Sequence, residues 1–136
     1  MSISSTRTVI ADALAAISDT HIATYDVSGS QVGRTIEILG PTSMDYSESV
    51  SGKRFQYTLS AVASVPATGA VGTAQGILDD LVDPTNASSV YRLLHAVSVA
   101  APLTMLRVTR CERPITPDNE GRWVAIIDIQ CVEVYT

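Results

Sequence analysis

Trp123-Val-Ala-Ile-Ile-Asp-Ile-Gln-Cys-Val-Glu-Val-Tyr135 decides the fold of this chain. The stretch is rich in β-branched residues and carries only two charges, Asp128 and Glu133. Chain ends fray unless something ties them down. A strand with apolar residues on both faces belongs in the middle of a sheet, covered on each side. The last strand is therefore expected to be a central element of the fold.

Working back along the chain, the polar segment Pro114–Arg122 reads as a turn, rich in Pro, Asp, Asn and Gly. Leu103–Arg110 reads as a strand before it, which makes an antiparallel hairpin with the last strand. Lys53–Val65 is another strand. Phe55, Tyr57, Leu59, Ala61 and Ala63 alternate there with Arg54, Gln56, Thr58 and Ser60. That period of two gives one apolar and one polar face. Pro66 ends it.

Helical spacing appears three times. Val9, Ile10, Ala13, Leu14 and Ile17 predict an amphipathic helix over residues 5–18, capped from Ser4-Ser5-Thr6, with Asp12 facing out. Val71, Ala74, Ile77, Leu78 and Leu81 predict a second over 69–82, stopped by Asp83-Pro84. Val90, Leu93, Leu94 and Val97 predict a short third over 86–97, capped by Asn86 or Ser88. Two short strands are expected at His21–Val27 and Thr35–Leu39, with a turn at Ser28-Gly29-Ser30. Residues 42–53 read as a polar loop after the breaker Gly40-Pro41. The order α-β-β-β-α-α-β-β predicts an α+β fold, a mostly antiparallel sheet with helices packed on one face.

The chain has 136 residues, enough for one domain with a radius of gyration of roughly 14 Å. Its net charge of −5 argues against nonspecific nucleic-acid binding. Charged residues make up 17%, below the usual quarter or so, which suggests surface hidden against partners. No apolar run reaches the roughly 18 residues of a membrane span. The start, Met-Ser-Ile-Ser-Ser-Thr-Arg, does not read as a signal peptide, so synthesis in the cytoplasm is expected. Cys111 and Cys131, if they flank a hairpin centred near Pro117-Asp118, stand about 20 Å apart by strand rise. Both are then expected as buried small hydrophobes and not as a disulfide.

Candidate chemistry is sparse. Gly69, Gly72 and Gly76 precede a helix but lack G-x-G-x-x-G spacing, so helix entry and close helix–sheet packing explain them better. Residues 29–35 lack the Gly-Lys-Ser/Thr ending of a phosphate loop. Asp79, Asp80 and Asp83 are oxygen donors, yet their spacing fits no EF-hand loop, and a solvated helix end is the simpler reading. His21 and His95 share no motif with a nucleophile. Asn86-Ala87-Ser88 matches a glycosylation sequon that matters only after secretion. Asp128 and Glu133 are expected to face solvent, a lumen or an Arg across the sheet, with Arg107 and Arg110 near Asp128. No catalytic, cofactor or metal set is expected, and the chain is not read as an enzyme. Mixed charges in the last hairpin suit a neighbouring subunit. The candidate contact residues are Arg113, Asp118, Glu120 and Arg122 there, with Asp45, Tyr46 and Glu48 in the 42–53 segment.

In layout, the chain resembles the tail terminator proteins of long-tailed bacteriophages. The likeness rests on the first helix Val9-Ile10-Ala11-Asp12-Ala13-Leu14 and the loop Ile38-Leu39-Gly40-Pro41-Thr42-Ser43. It continues through the strand Phe55–Val65, the helix Gly72–Leu81, the shorter helix Ser89–Leu94 and the closing Val132-Glu133-Val134-Tyr135. It concerns order and size over nearly the whole chain; Ala96–Leu103 is more apolar than the pattern. The resemblance implies a homo-hexameric ring in the virion tail or neck. Such a ring caps the major tail tube protein, ends its polymerisation and joins a head-completion (neck) protein. Double-stranded DNA would pass through the lumen without specific binding, which an acidic balance suits. Another connector of the same neck, a head-closure or adaptor protein, fits the same size. From a different class, so does a small non-catalytic binding module.

Overall fold

The computed structural model describes residues 3–24, 33–49, 52–66, 71–119 and 121–135, the side chains of 48, 49 and 71 excepted. The elements run α1 (Ile3–Leu14), β1 (Thr20–Ala23), β2 (Arg34–Ser49), β3 (Gly52–Pro66), α2 (Val71–Val82), α3 (Val90–His95), β4 (Leu103–Glu112) and β5 (Arg122–Tyr135). This is the α+β order expected. Among the described residues the strands form one five-stranded sheet, ordered β1-β2-β3-β5-β4. Every pairing is antiparallel except that of β1 with β2.

β5 lies between β3 and β4 and pairs with β3 along its whole length, from Arg122 opposite Pro66 to Tyr135 opposite Lys53. Its burial alternates. Ala125, Ile127, Ile129 and Cys131 are buried, whereas Val124, Ile126, Asp128 and Gln130 are half-buried. The strand is internal, as its composition predicts, but only one face lies in the main core. That face continues through Leu59, Ala61 and Ala63 of β3 and Ile36 and Ile38 of β2. Ile10 and Leu14 of α1, Ala74, Leu78 and Leu81 of α2, and Val90 and Leu94 of α3 complete one core. Removing each such Ile or Leu from water contributes roughly 1.5–3 kcal/mol.

Several boundaries differ from the pattern reading. α1 ends at Leu14, four residues early, and Ile17 reaches the core from the following turn. β1 is described only to Ala23; residues 25–27, the turn at 28–30 and the helix start at 69–70 lie outside the described residues. α3 is six residues long, and its cap is Ser89, whose hydroxyl accepts the Arg92 N–H at 3.2 Å.

The largest correction concerns 42–53. This segment is not a polar loop: β2 runs on to Ser49 and pairs with β3 up to Ser49 opposite Gly52. Gly40-Pro41 is a bulge and not a breaker, since the register shifts between Leu39 and Ser43 and then resumes. Gly40 has φ +105°, a conformation open to glycine. The peptide bond from Gly40 to Pro41 is cis. Among the described residues β1 pairs only with Arg34–Glu37, so Pro41, which has no N–H to donate, faces no described strand on its β1 side. An Arg7 guanidinium N–H donates to the Gly40 carbonyl and ties α1 to the bulge.

Candidate functional site

The long β2–β3 hairpin carries the sheet past the start of α1. Tyr46 lies opposite Phe55 and Met44 opposite Tyr57, so these four share a face. Tyr57 is buried where Thr6 of α1 meets it, whereas Tyr46 remains 73% exposed. Tyr46 stacks on Phe55 with ring centroids 5.0 Å apart and planes at 20°. Met44 and Tyr135 are exposed beside them. Adjacent exposed Tyr and Met side chains are what partner-binding surfaces are made of. Of the residues expected at contacts here, Tyr46 is in this patch and Asp45, next along the strand, is exposed on the opposite face. Glu48 pairs through its backbone with Lys53; its side chain lies outside the described residues.

Under the patch lies a polar cluster that the pattern reading missed. Glu133 is only 1% exposed, not facing solvent, a lumen or an arginine. Tyr57 Oη is 2.6 Å from Glu133 Oε2 and 2.7 Å from Thr6 Oγ1. A phenol has one proton, so donating it to Glu133 leaves the phenol oxygen to accept from Thr6. Tyr135 donates to the other carboxylate oxygen. Burial first, and then the bond to Glu133, hold the Tyr57 phenol well above its usual pKa of 10.0. Burial, with Glu133 nearby, also pushes the Cys131 thiol up to about 12. Glu133 lies on the same face of β5 as buried Cys131 and Ile129, and the tyrosine partner far off in sequence explains why an acid is tolerated there.

At the other end of the sheet is the β4–β5 tip. Arg113 lies along the surface and pairs with exposed Asp79 of α2. Arg122 is 7% exposed: it donates to Ser64 Oγ at 2.9 Å and to the Gly33 carbonyl, so it stitches strands together from within. Asp118 is exposed, and its carboxylate accepts the Arg122 N–H at 2.9 Å. Glu120 lies outside the described residues. Between Pro114 and Pro117 stands Ile115, 92% exposed, which the charge-based reading passed over.

A cleft of about 250 Å³ opens near the same end. Ile17, Ile77 and Leu81 give it apolar walls, and Arg34, Asn86 and Ser88 polar ones. Ser18 and Asp80 complete its lining. Asn86 Oδ1 accepts the Ser88 N–H at 2.9 Å, which makes a tight turn at its mouth.

The remaining candidate residues have structural partners. Asp83 caps its own turn, accepting from the Thr85 N–H at 2.9 Å and the Thr85 hydroxyl at 2.7 Å. The backbone bond above all, then the hydroxyl, lowers its pKa. His95 closes α3, accepts the Val108 N–H at 3.2 Å and stacks on Tyr91 at 4.0 Å. His21 is exposed. Arg110 does lie opposite Asp128, but its guanidinium rests 3.9 Å from Glu112, and Asp128 accepts from Ser60 at 3.3 Å. Both cysteines are free; Cys131 is buried, and Cys111 is exposed, against expectation. Cys111 faces Ile127 and Leu106 faces Cys131, three and two residues from the simple hairpin count, because the pairing next to the turn is centred near 119 and not between 117 and 118; the register shift at 108/110 takes back one residue. Among the described residues no three of His, Cys, Asp and Glu cluster as a metal site would require. No helix among them is long and apolar enough to cross a membrane. A comparison with models of known protein families found no match, and neither did one with curated proteins.

Proposed function

We propose that this protein is a structural subunit of a phage virion. In this reading six copies close into a ring that caps the tail tube, ends its polymerisation and joins the tail to the head-completion protein. The observation that carries the assembly part is the β2–β3 hairpin end, where Met44, Tyr46 and Tyr135 lie exposed beyond the helices. A polar surface is the default for a soluble monomer, and a contiguous aromatic patch there calls for a partner. The low share of charged residues supports the same reading. The phage assignment draws on the resemblance of the sequence layout to tail terminators; one mark of that resemblance, the loop at Ile38–Ser43, is part of β2 in this fold.

A ring needs two different surfaces on each subunit that meet by rotation. The hairpin end and the β4–β5 tip stand at opposite ends of β5 and provide separate places for contact. Net negative charge suits a lumen through which DNA slides, because a basic lining would hold phosphate.

Negative-stain electron microscopy of the purified chain, at high concentration and with tail tubes added, tests the proposal. Six-fold rings with a central hole, free or on tube ends, are the expected result. Monomers that leave tube length unchanged would overturn it.

A further inference from the structure

Ile115 and the cleft are complementary features of one chain. An isoleucine 92% exposed is costly to leave in water. Pro114 precedes it and Pro117 follows Thr116, which restricts the backbone on either side. A backbone restricted in advance loses less entropy on docking, so more of the burial appears as affinity. The cleft offers what such a knob needs: Ile17, Ile77 and Leu81 as apolar walls. Its volume of about 250 Å³ exceeds the roughly 150 Å³ that holds a benzene ring, so the four side-chain carbons of isoleucine fit with room for part of the tip.

Ile115 does not fill this cleft in its own chain, as its exposure shows. Arg113 anchors the base of the tip to Asp79 of α2. Both surfaces carry charges of both signs: Asp118, Glu112 and Arg110 on the hairpin, Arg34 and Asp80 in the cleft. Opposite charges pair in the orientation that brings the hairpin acids to Arg34 and Arg110 to Asp80.

We infer that the occupant of the cleft is Ile115 of a second copy of this chain. A knob meeting a pocket elsewhere on the same molecule makes a head-to-tail contact, which repeats until it closes as a ring or runs on as a filament. The inference rests on the ring reading and specifies its contact.

The test uses two surface variants of the full chain. Ile115→Asp removes the knob, and Ser88→Trp fills the mouth of the cleft; both positions are exposed, and unchanged thermal melting checks the fold. Sedimentation velocity across concentrations reads assembly, with microscopy of the wild type alongside. Each variant alone is expected to stay monomeric, with the half-assembly concentration raised at least about tenfold, as for loss of a central anchor. Mixed in equal amounts, they should form dimers and nothing larger, because one intact knob then meets one intact cleft. If wild type and both variants form rings alike, the knob-in-cleft contact is wrong and the ring reading stands. If the variants are monomeric but their mixture gives no dimer, the contact is also wrong. A wild type monomeric throughout overturns the ring reading and the contact together.

Discussion

At the scale of single residues, the informative group is Glu133 with its two tyrosine donors. A buried carboxylate is tolerated only when its oxygens are hydrogen-bonded. Tyr57→Phe leaves one oxygen short of a donor and is expected to destabilise by about 1–3 kcal/mol in urea unfolding. Pairing it with Glu133→Met removes both partners, and the double variant should be milder than the sum of the singles. The same cluster sets an alkaline limit. Tyr57 and Cys131 both hold their protons in the fold above their ordinary values of 10.0 and 9.0. The unfolded chain releases those protons first, so stability is full below about pH 9 and falls as pH rises beyond it. Urea midpoints at about pH 8, 9.5 and 10.5 should fall in that order, and Tyr57→Phe should flatten the part above about pH 10. A midpoint that is flat with pH in the wild type would show that neither proton is held this way.

At the scale of elements, two glycines behave in opposite ways. Gly40 sits in the β2 bulge at φ +105°, and a Cβ there would come within 3.1 Å of the Thr42 nitrogen and 3.3 Å of the Thr58 carbonyl oxygen. Gly40→Ala is expected to cost about 1–3 kcal/mol. Gly76 lies inside α2 with nothing within 4 Å of an added Cβ. The expectation that close helix–sheet packing requires glycine here is therefore wrong. Gly76→Ala should stabilise the chain by about 0.5–1 kcal/mol. Differential scanning calorimetry of the two variants reads both signs directly. The bulge also explains why the hairpin was hidden in the sequence. Gly-Pro is a reliable breaker for a central strand, but at a bulge it only bends the ladder.

At the scale of the whole molecule, the two sides of the described sheet differ. The β4 edge has a backbone N–H taken by His95 of α3, while among the described residues β2 beyond Glu37 pairs with β3. The exposed aromatic patch on that hairpin invites association. Tyr46→Ser loses the stack on Phe55 and is expected to cost about 0.5–1.5 kcal/mol, which leaves the chain folded. Ring or tube-cap formation should nevertheless weaken, as counted in electron micrographs. Normal assembly by this variant would reverse the role given to this patch.

The element order, the internal place of the last strand and the main core positions follow from the sequence alone. Hydrophobic period is a local property, and Leu59 and Leu78 announce their faces wherever the neighbours lie. Tertiary structure decided what depends on partners distant in sequence. Glu133 became a buried residue because Tyr57, 76 positions away, supplies its proton. Arg122, read as a surface charge, was drawn inward by Ser64, Arg113 was engaged on the surface by Asp79 of its own chain, and Ile115 was left exposed between its prolines. A long polar side chain has no fixed face, since its stem can snorkel out or fold back to any partner in reach. Only the packed molecule determines which of these it does, and so which residues remain on the surface to meet another copy.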